Sequence, residues 1–138
     1  MTISAEASTI QRRTNATSAL TLRYATSSAR ILLSLIFMTT GLAKLLGMGA
    51  MVLLFQTIGL GEELRYAAGL AEIGAALLLI TPGGHFPGGL LVGALSLAAT
   101  VAHLLLIDGN PFPAAGLLTL ALFVIWRTRP QRWRRATA

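Results

Sequence analysis

The chain predicts an all-α fold: a four-helix transmembrane bundle with a short interfacial helix between its first and second helices. Three observations carry this reading. Of the 138 residues, 54% are hydrophobic and only 12% charged, where an ordinary soluble domain carries about a quarter charged residues. The charges are also pushed to the ends: between Ile31 and Trp126 there are only Lys44, Glu62, Glu63, Arg65, Glu72 and Asp108. Finally, the stretch from Tyr66 to Ile107 holds one carboxylate and two histidines among residues that are almost all Leu, Ala, Gly, Val and Ile. A helix facing water needs a polar face, and these segments have none. The length allows one domain, divided into a basic arm (1–29), a four-span membrane domain (30–126) and a basic tail (127–138).

The arm, Ser/Thr-rich and polar, reads as largely disordered and is too long before its first apolar run for a signal peptide. The first span runs from about Arg30 to Gly47. Between Met48 and Leu64, Met51-Val52-Leu53-Leu54-Phe55-Gln56 is too short to cross a bilayer and reads as an interfacial or re-entrant helix on the outer face. The second span begins near Tyr66 and is closed by Pro82, in the helix-breaking turn Thr81-Pro82-Gly83-Gly84-His85-Phe86-Pro87, where His85 is expected to be solvated. The third runs from about Gly88 to Ile107. Asp108-Gly109-Asn110-Pro111 forms the next turn, with Asn110 as N-cap and Pro111 as first residue of a fourth span ending at Trp126. Gly89-Leu90-Leu91-Val92-Gly93 matches GxxxG, which suits close helix packing within the bundle and, more weakly, a homo-oligomer.

The net charge of +6 does not indicate a nucleic-acid partner, because of where it sits. Arg12, Arg13, Arg23 and Arg30 precede the first apolar run, and Arg127, Arg129, Arg132, Arg134 and Arg135 follow the last. Basic flanks stay on the cytoplasmic side and suit anionic lipid head groups. An even number of spans then places both termini in the cytoplasm, with the lipid bilayer as the main partner. The absence of cysteine excludes disulfides and thiolate chemistry. No cluster supplies three metal ligands, and no His pair suits haem.

Charged groups inside a membrane are costly and mark functional positions. Lys44 lies ~5 Å before the outer end of the first span, Glu72 ~9 Å inside the outer start of the second, and His103 ~6 Å before the outer end of the third. All three fall at one depth, in the outer third of the membrane. Thr40 shares a face with Lys44. Ser96, Thr100 and His103 form an i, i+4, i+7 stripe. Ala68, Gly69, Ala75 and Ala76 leave room around Glu72. The expectation is a polar pocket open to the outer leaflet, with Lys44, Glu72 and His103 as its chemical groups and Thr40, Ser96, Thr100 and Gln56 as ligand contacts. The competing expectations are that Lys44 snorkels to the interface and that Glu72 serves only as a structural partner.

The same residues carry a family resemblance. Gly41-Leu42-Ala43-Lys44-Leu45 resembles the signature closing the first helix of DoxX-like membrane proteins. Gly69-Leu70-Ala71-Glu72-Ile73-Gly74-Ala75-Ala76-Leu77-Leu78-Leu79-Ile80 is similar to that family's second helix. Ala99-Thr100-Val101-Ala102-His103 with Asp108 is similar to its third helix and following loop. The likeness covers about Arg30 to Arg127.

The resemblance implies an inner-membrane protein of a bacterium. It also suggests a redox setting, since the family's namesake is a subunit of an archaeal thiosulfate:quinone oxidoreductase and a mycobacterial relative joins a membrane redox complex. The leading expectation is thus a membrane subunit that binds a hydrophobic molecule, with a quinone as candidate, and serves redox or stress metabolism. It would have no intrinsic cofactor and would need a soluble redox partner protein. Glu72 and His103 would bond the quinone oxygens, with Lys44 as counter-charge. One rival is a cofactor-free membrane enzyme (isomerase, cyclase or epoxide hydrolase) using Glu72 and His103 as acid and base. The other is a small proton-coupled exporter.

Overall fold

A computed structural model describes residues 2–106 and 110–130, with residues 2–10 as backbone only. Five α-helices and no strands occur among them: α1 Thr2–Leu45, α2 Gly49–Thr57, α3 Gly61–Ile80, α4 His85–Leu105 and α5 Phe112–Thr128. Helices α1, α3, α4 and α5 pack in a ring, each touching the next, while α2 lies mainly on α3.

The largest departure from expectation is at the N-terminus. Where the sequence predicts a largely disordered arm, α1 is helical from Thr2 onward. No glycine or proline interrupts residues 2–40. The hydroxyls that usually compete with helix instead bond back within it, as Thr17 does to the Arg13 carbonyl, Ser18 to Thr14, Thr21 to Thr17 and Thr26 to Leu22. From Gln11 to Ala25 this helix is exposed all round.

The other corrections are smaller, and helix ends move by five residues or fewer. α3 begins at Gly61 rather than near Tyr66, because Glu62 and Glu63 favour the positive end of the helix dipole. α4 begins at His85 rather than Gly88, with Pro87 in the first turn, where its missing N–H costs nothing. Pro111, not Asn110, is the N-cap of α5, and Asn110 Oδ1 accepts the Phe112 N–H at 2.9 Å. α5 continues to Thr128, two residues nearer the tail than Trp126. His85 is half-buried rather than solvated, its Nδ1 donating to the Leu79 carbonyl at 3.1 Å. Asp108 and Gly109, and the tail residues 131–138, lie outside the described residues.

The core lies between α1, α3, α4 and α5: Leu33 and Phe37, Ala75, Ala76 and Leu79, Val92, and Ala121 and Val124. Many of these are small, so the helices approach closely. A Cβ added at Gly41 would sit 2.9 Å from the Gly69 carbonyl oxygen, and one at Gly69 3.0 Å from that of Gly41. The GxxxG pair is used inside the ring, with Gly89 and Gly93 both against Ile125 of α5.

Among the described residues two helices are long and apolar enough to cross a membrane: Gln11–Leu45 and His85–Leu105, with mean hydropathies of 1.4 and 1.8. Only 28% of each apolar window is buried inside the molecule. Their apolar surface therefore faces outward, as in Leu32, Leu35, Leu97, Val101 and Leu104. A soluble monomer rarely exposes so much contiguous apolar surface. α5 is apolar but has 17 residues, and α3 carries Glu62, Glu63, Arg65 and Glu72.

Candidate functional site

α1 and α3 run antiparallel, and the Gly41–Gly69 contact sets the local spacing between them. Lys44 and Glu72 stand three residues beyond Gly41 and Gly69, on opposite sides of that contact along the helix axes, and their side chains lean back toward the N-terminus of each helix, so they meet beside the crossing. Lys44 Nζ donates to both oxygens of Glu72, at 2.8 and 2.9 Å. The side chains are 11% and 13% exposed, which makes this a largely desolvated ion pair. Lys44 does not reach out to a surface.

The backbone at Lys44 is held too. α1 ends in a Schellman turn: Met48 N–H donates to the Ala43 carbonyl at 3.0 Å and Gly47 N–H to that of Lys44 at 3.3 Å. Gly47 has φ +64, a conformation only glycine adopts without strain. Arg65, near the start of α3, reaches across so that its Nη1 donates to the same Lys44 carbonyl. Arg65 is 2% exposed and its guanidinium lies 4.3 Å from the centre of the Tyr66 ring. Sequence reasoning missed Arg65. Its main partner is a backbone carbonyl, which leaves no trace in residue types. The one available signal was a lone cation a turn inside a helix whose other charges are carboxylates.

Beside the pair lies a cleft of about 340 Å³. It is bounded by the end of α1, by α2, α3 and α4, and its polar lining groups are Lys44, Glu72 and His103. The rest is apolar, including Met51 and Phe55 of α2, Ala68 of α3 and Ala99 of α4. The volume falls in the range of small-molecule sites, ~300–1,000 Å³. His103 Nδ1 is buried without a hydrogen-bond partner among the described residues. Such an orphaned group calls for an explanation.

The four expected ligand contacts do not line the cleft. Thr40 turns its hydroxyl to the Phe37 carbonyl, Thr100 bonds to Ser96 in its own helix, and Gln56 is exposed on α2. Ser96 is 2% exposed, facing the core. Besides His103, the face of α4 that borders the cleft is the stripe Leu95, Ala98, Ala99 and Ala102. That stripe is set one residue, about 100°, around the helix from Ser96. Of the polar stripe Ser96, Thr100 and His103 only His103 borders the cleft, and much of the cleft wall is alanine. Among the described residues no group of three His, Cys, Asp or Glu could hold a metal ion.

The family model DoxX matches residues 25–105, which include α3, α4, α2 and the bundle half of α1. No curated protein and no solved structure matches the chain.

Proposed function

Because the chain belongs to the DoxX family of membrane proteins, we propose that its cleft binds an apolar small molecule with a hydrogen-bonding head group. The observation that supports this is the combination of a largely apolar cleft with one desolvated ion pair and one histidine carrying an unpartnered ring nitrogen. In this reading α1 (from about Arg30), α3, α4 and α5 each span the bilayer. Both termini are cytoplasmic, and α2 lies at the outer interface above the cleft. The arginines flanking the helical region support that orientation. The chain then serves as the membrane subunit of a redox or stress-related system, with a quinone as the leading candidate ligand and a soluble protein as redox partner.

A second reading, a cofactor-free membrane enzyme, draws on the free His103 nitrogen, which could move a proton while the Lys44–Glu72 pair orients the substrate. An exporter is less suited: a carboxylate engaged at both oxygens by Lys44 is poorly placed to alternate between proton and cargo.

The test is mass spectrometry of small molecules that co-purify in mild detergent, comparing wild type with Glu72→Gln. A hydrophobic compound enriched only with wild type supports the reading and identifies the chemistry to assay. No specific compound with either protein sinks it.

A further inference from the structure

We propose that the cleft receives its ligand sideways from the bilayer and selects a single-chain amphiphile with an uncharged, hydroxyl-bearing head group. The inference rests on the ligand-binding reading above and adds to it the route of entry and the charge of the head group; of a quinone couple it fits the quinol, whose hydroxyls donate as well as accept.

The route follows from how polarity is distributed around the cleft. The exposed lining residues include Leu60 and Leu64, by the start of α3, and Ala98 and Ala99 on α4. All are apolar. The charged lining groups, Lys44 and Glu72, lie at the back with only 11% and 13% of their side chains exposed. Outward from the mouth the α4 surface continues as Leu97, Val101 and Leu105, all exposed. A site loaded from water would place polar groups at its rim. Here the rim is continuous with surface that hydrocarbon covers, so a chain can lie in the mouth while its head reaches the polar end.

The head-group charge follows from the ion pair. Lys44 and Glu72 already neutralise each other, with Nζ on both carboxylate oxygens. An anionic head would have to take Lys44 from Glu72, and a cationic head Glu72 from Lys44. Either exchange strands one charge in a poorly solvated place. A hydroxyl disturbs neither. It can donate to a remaining lone pair of the carboxylate, and it can pair with the His103 ring nitrogen in either tautomer, because it both donates and accepts. The size of the cleft, near the lower end of the small-molecule range, suits one chain rather than a two-tailed lipid.

The experiment uses the full chain in phosphatidylcholine nanodiscs with three photoreactive probes. Each has the same hexadecyl chain carrying a diazirine, with a hydroxyl, carboxylate or ammonium head. After illumination, labelled peptides are mapped by mass spectrometry. The hydroxyl probe should label the cleft-lining stretches of α3 and α4 at least ~tenfold more than either charged probe, since a charged head must separate the buried pair. Ala99→Trp, which fills the mouth, should remove most of that labelling, whereas Leu97→Trp, exposed and outside the cleft, should not. Ala98→Phe provides a second way to narrow the mouth if Ala99→Trp fails to fold. Equal labelling by a charged probe overturns the head-group claim, and labelling unaffected by either mouth variant overturns the route. A hydrophobic compound with a charged head group found co-purifying through Glu72 would sink this inference while leaving the ligand-binding reading intact.

Discussion

The two ends of the α1–α3 pair are built on one plan and finished differently. At each end an arginine from one helix reaches the last carbonyls of the other. Arg30 Nε of α1 donates to the Leu79 carbonyl of α3 at 2.9 Å, and Arg65 of α3 donates to the Lys44 carbonyl of α1. Helix C-termini leave carbonyls without intrahelical partners and carry partial negative charge, so a cation there satisfies both needs. At the Arg30 end the closure is complete. His85 adds a second donor to Leu79, Ser34 bonds the Ala76 carbonyl at 2.9 Å, and a short turn leads directly into α4. At the Arg65 end α2 is inserted between the helices, an ion pair is buried, and a cleft remains with an unpartnered histidine nitrogen. The difference teaches that one end is finished for stability, while the other keeps polar groups in reserve.

The sharpest way to break this contrast is to unpair the open end. Lys44→Ala leaves the Glu72 carboxylate buried alone and should cost about 3–5 kcal/mol. Replacing both, as Lys44→Met with Glu72→Leu, should recover most of that stability while ligand binding stays lost. Thermal unfolding in detergent followed by circular dichroism, with co-purification as the second readout, checks both halves. A double variant as unstable as the single one would mean the pair itself holds the bundle together.

The two arginines can then be compared directly. Arg65→Met removes a fully buried charge-assisted bond and should lower stability by about 1.5–3 kcal/mol. Arg30→Met, half-buried and backed by His85 on the same carbonyl, should lose less. Equal losses in parallel melts would contradict the claim that the Arg30 end has a spare donor.

A smaller effect tests what positions the ion pair. Gly41→Ala must push α1 from α3, since its Cβ would meet backbone, and should cost about 1–3 kcal/mol. It should also weaken ligand retention, whereas Gly74→Ala, where a Cβ would meet nothing, should leave retention unchanged. Least of all, Ser34→Ala deletes one interhelical hydrogen bond at the closed end and should cost about 0.6 kcal/mol, the mean for such bonds in a membrane bundle. Hydrogen exchange at the end of α3 would register it even where the melting temperature barely moves.

Much of this was legible in the residues. The helices and their order follow from apolar runs and their breakers. Lys44, Glu72 and His103 were singled out by depth, and all three border one cleft. What the residues hid has a common cause. The contacts by which Arg65 and Arg30 join the two helices go to backbone carbonyls, which every residue has, so the sequence does not show them. The helical arm was misread because hydroxyl-rich segments suggest disorder until their i−4 bonds are seen. Thr40, Ser96, Thr100 and Gln56 were chosen for polarity, but the cleft selects for space.

By itself the sequence determined an all-helical chain with outward-facing apolar surface, because hydrophobic runs and helix breakers are local properties. It also determined which few charges would have to be accommodated among those runs. Only the tertiary structure decided that Lys44 clasps both oxygens of Glu72, that Arg65 holds the end of α1, and that alanines rather than hydroxyls form much of the cleft wall. Those outcomes depend on how closely α1 and α3 approach at Gly41 and Gly69, and on how far α4 is rotated. Neither distance nor rotation is encoded at any single position.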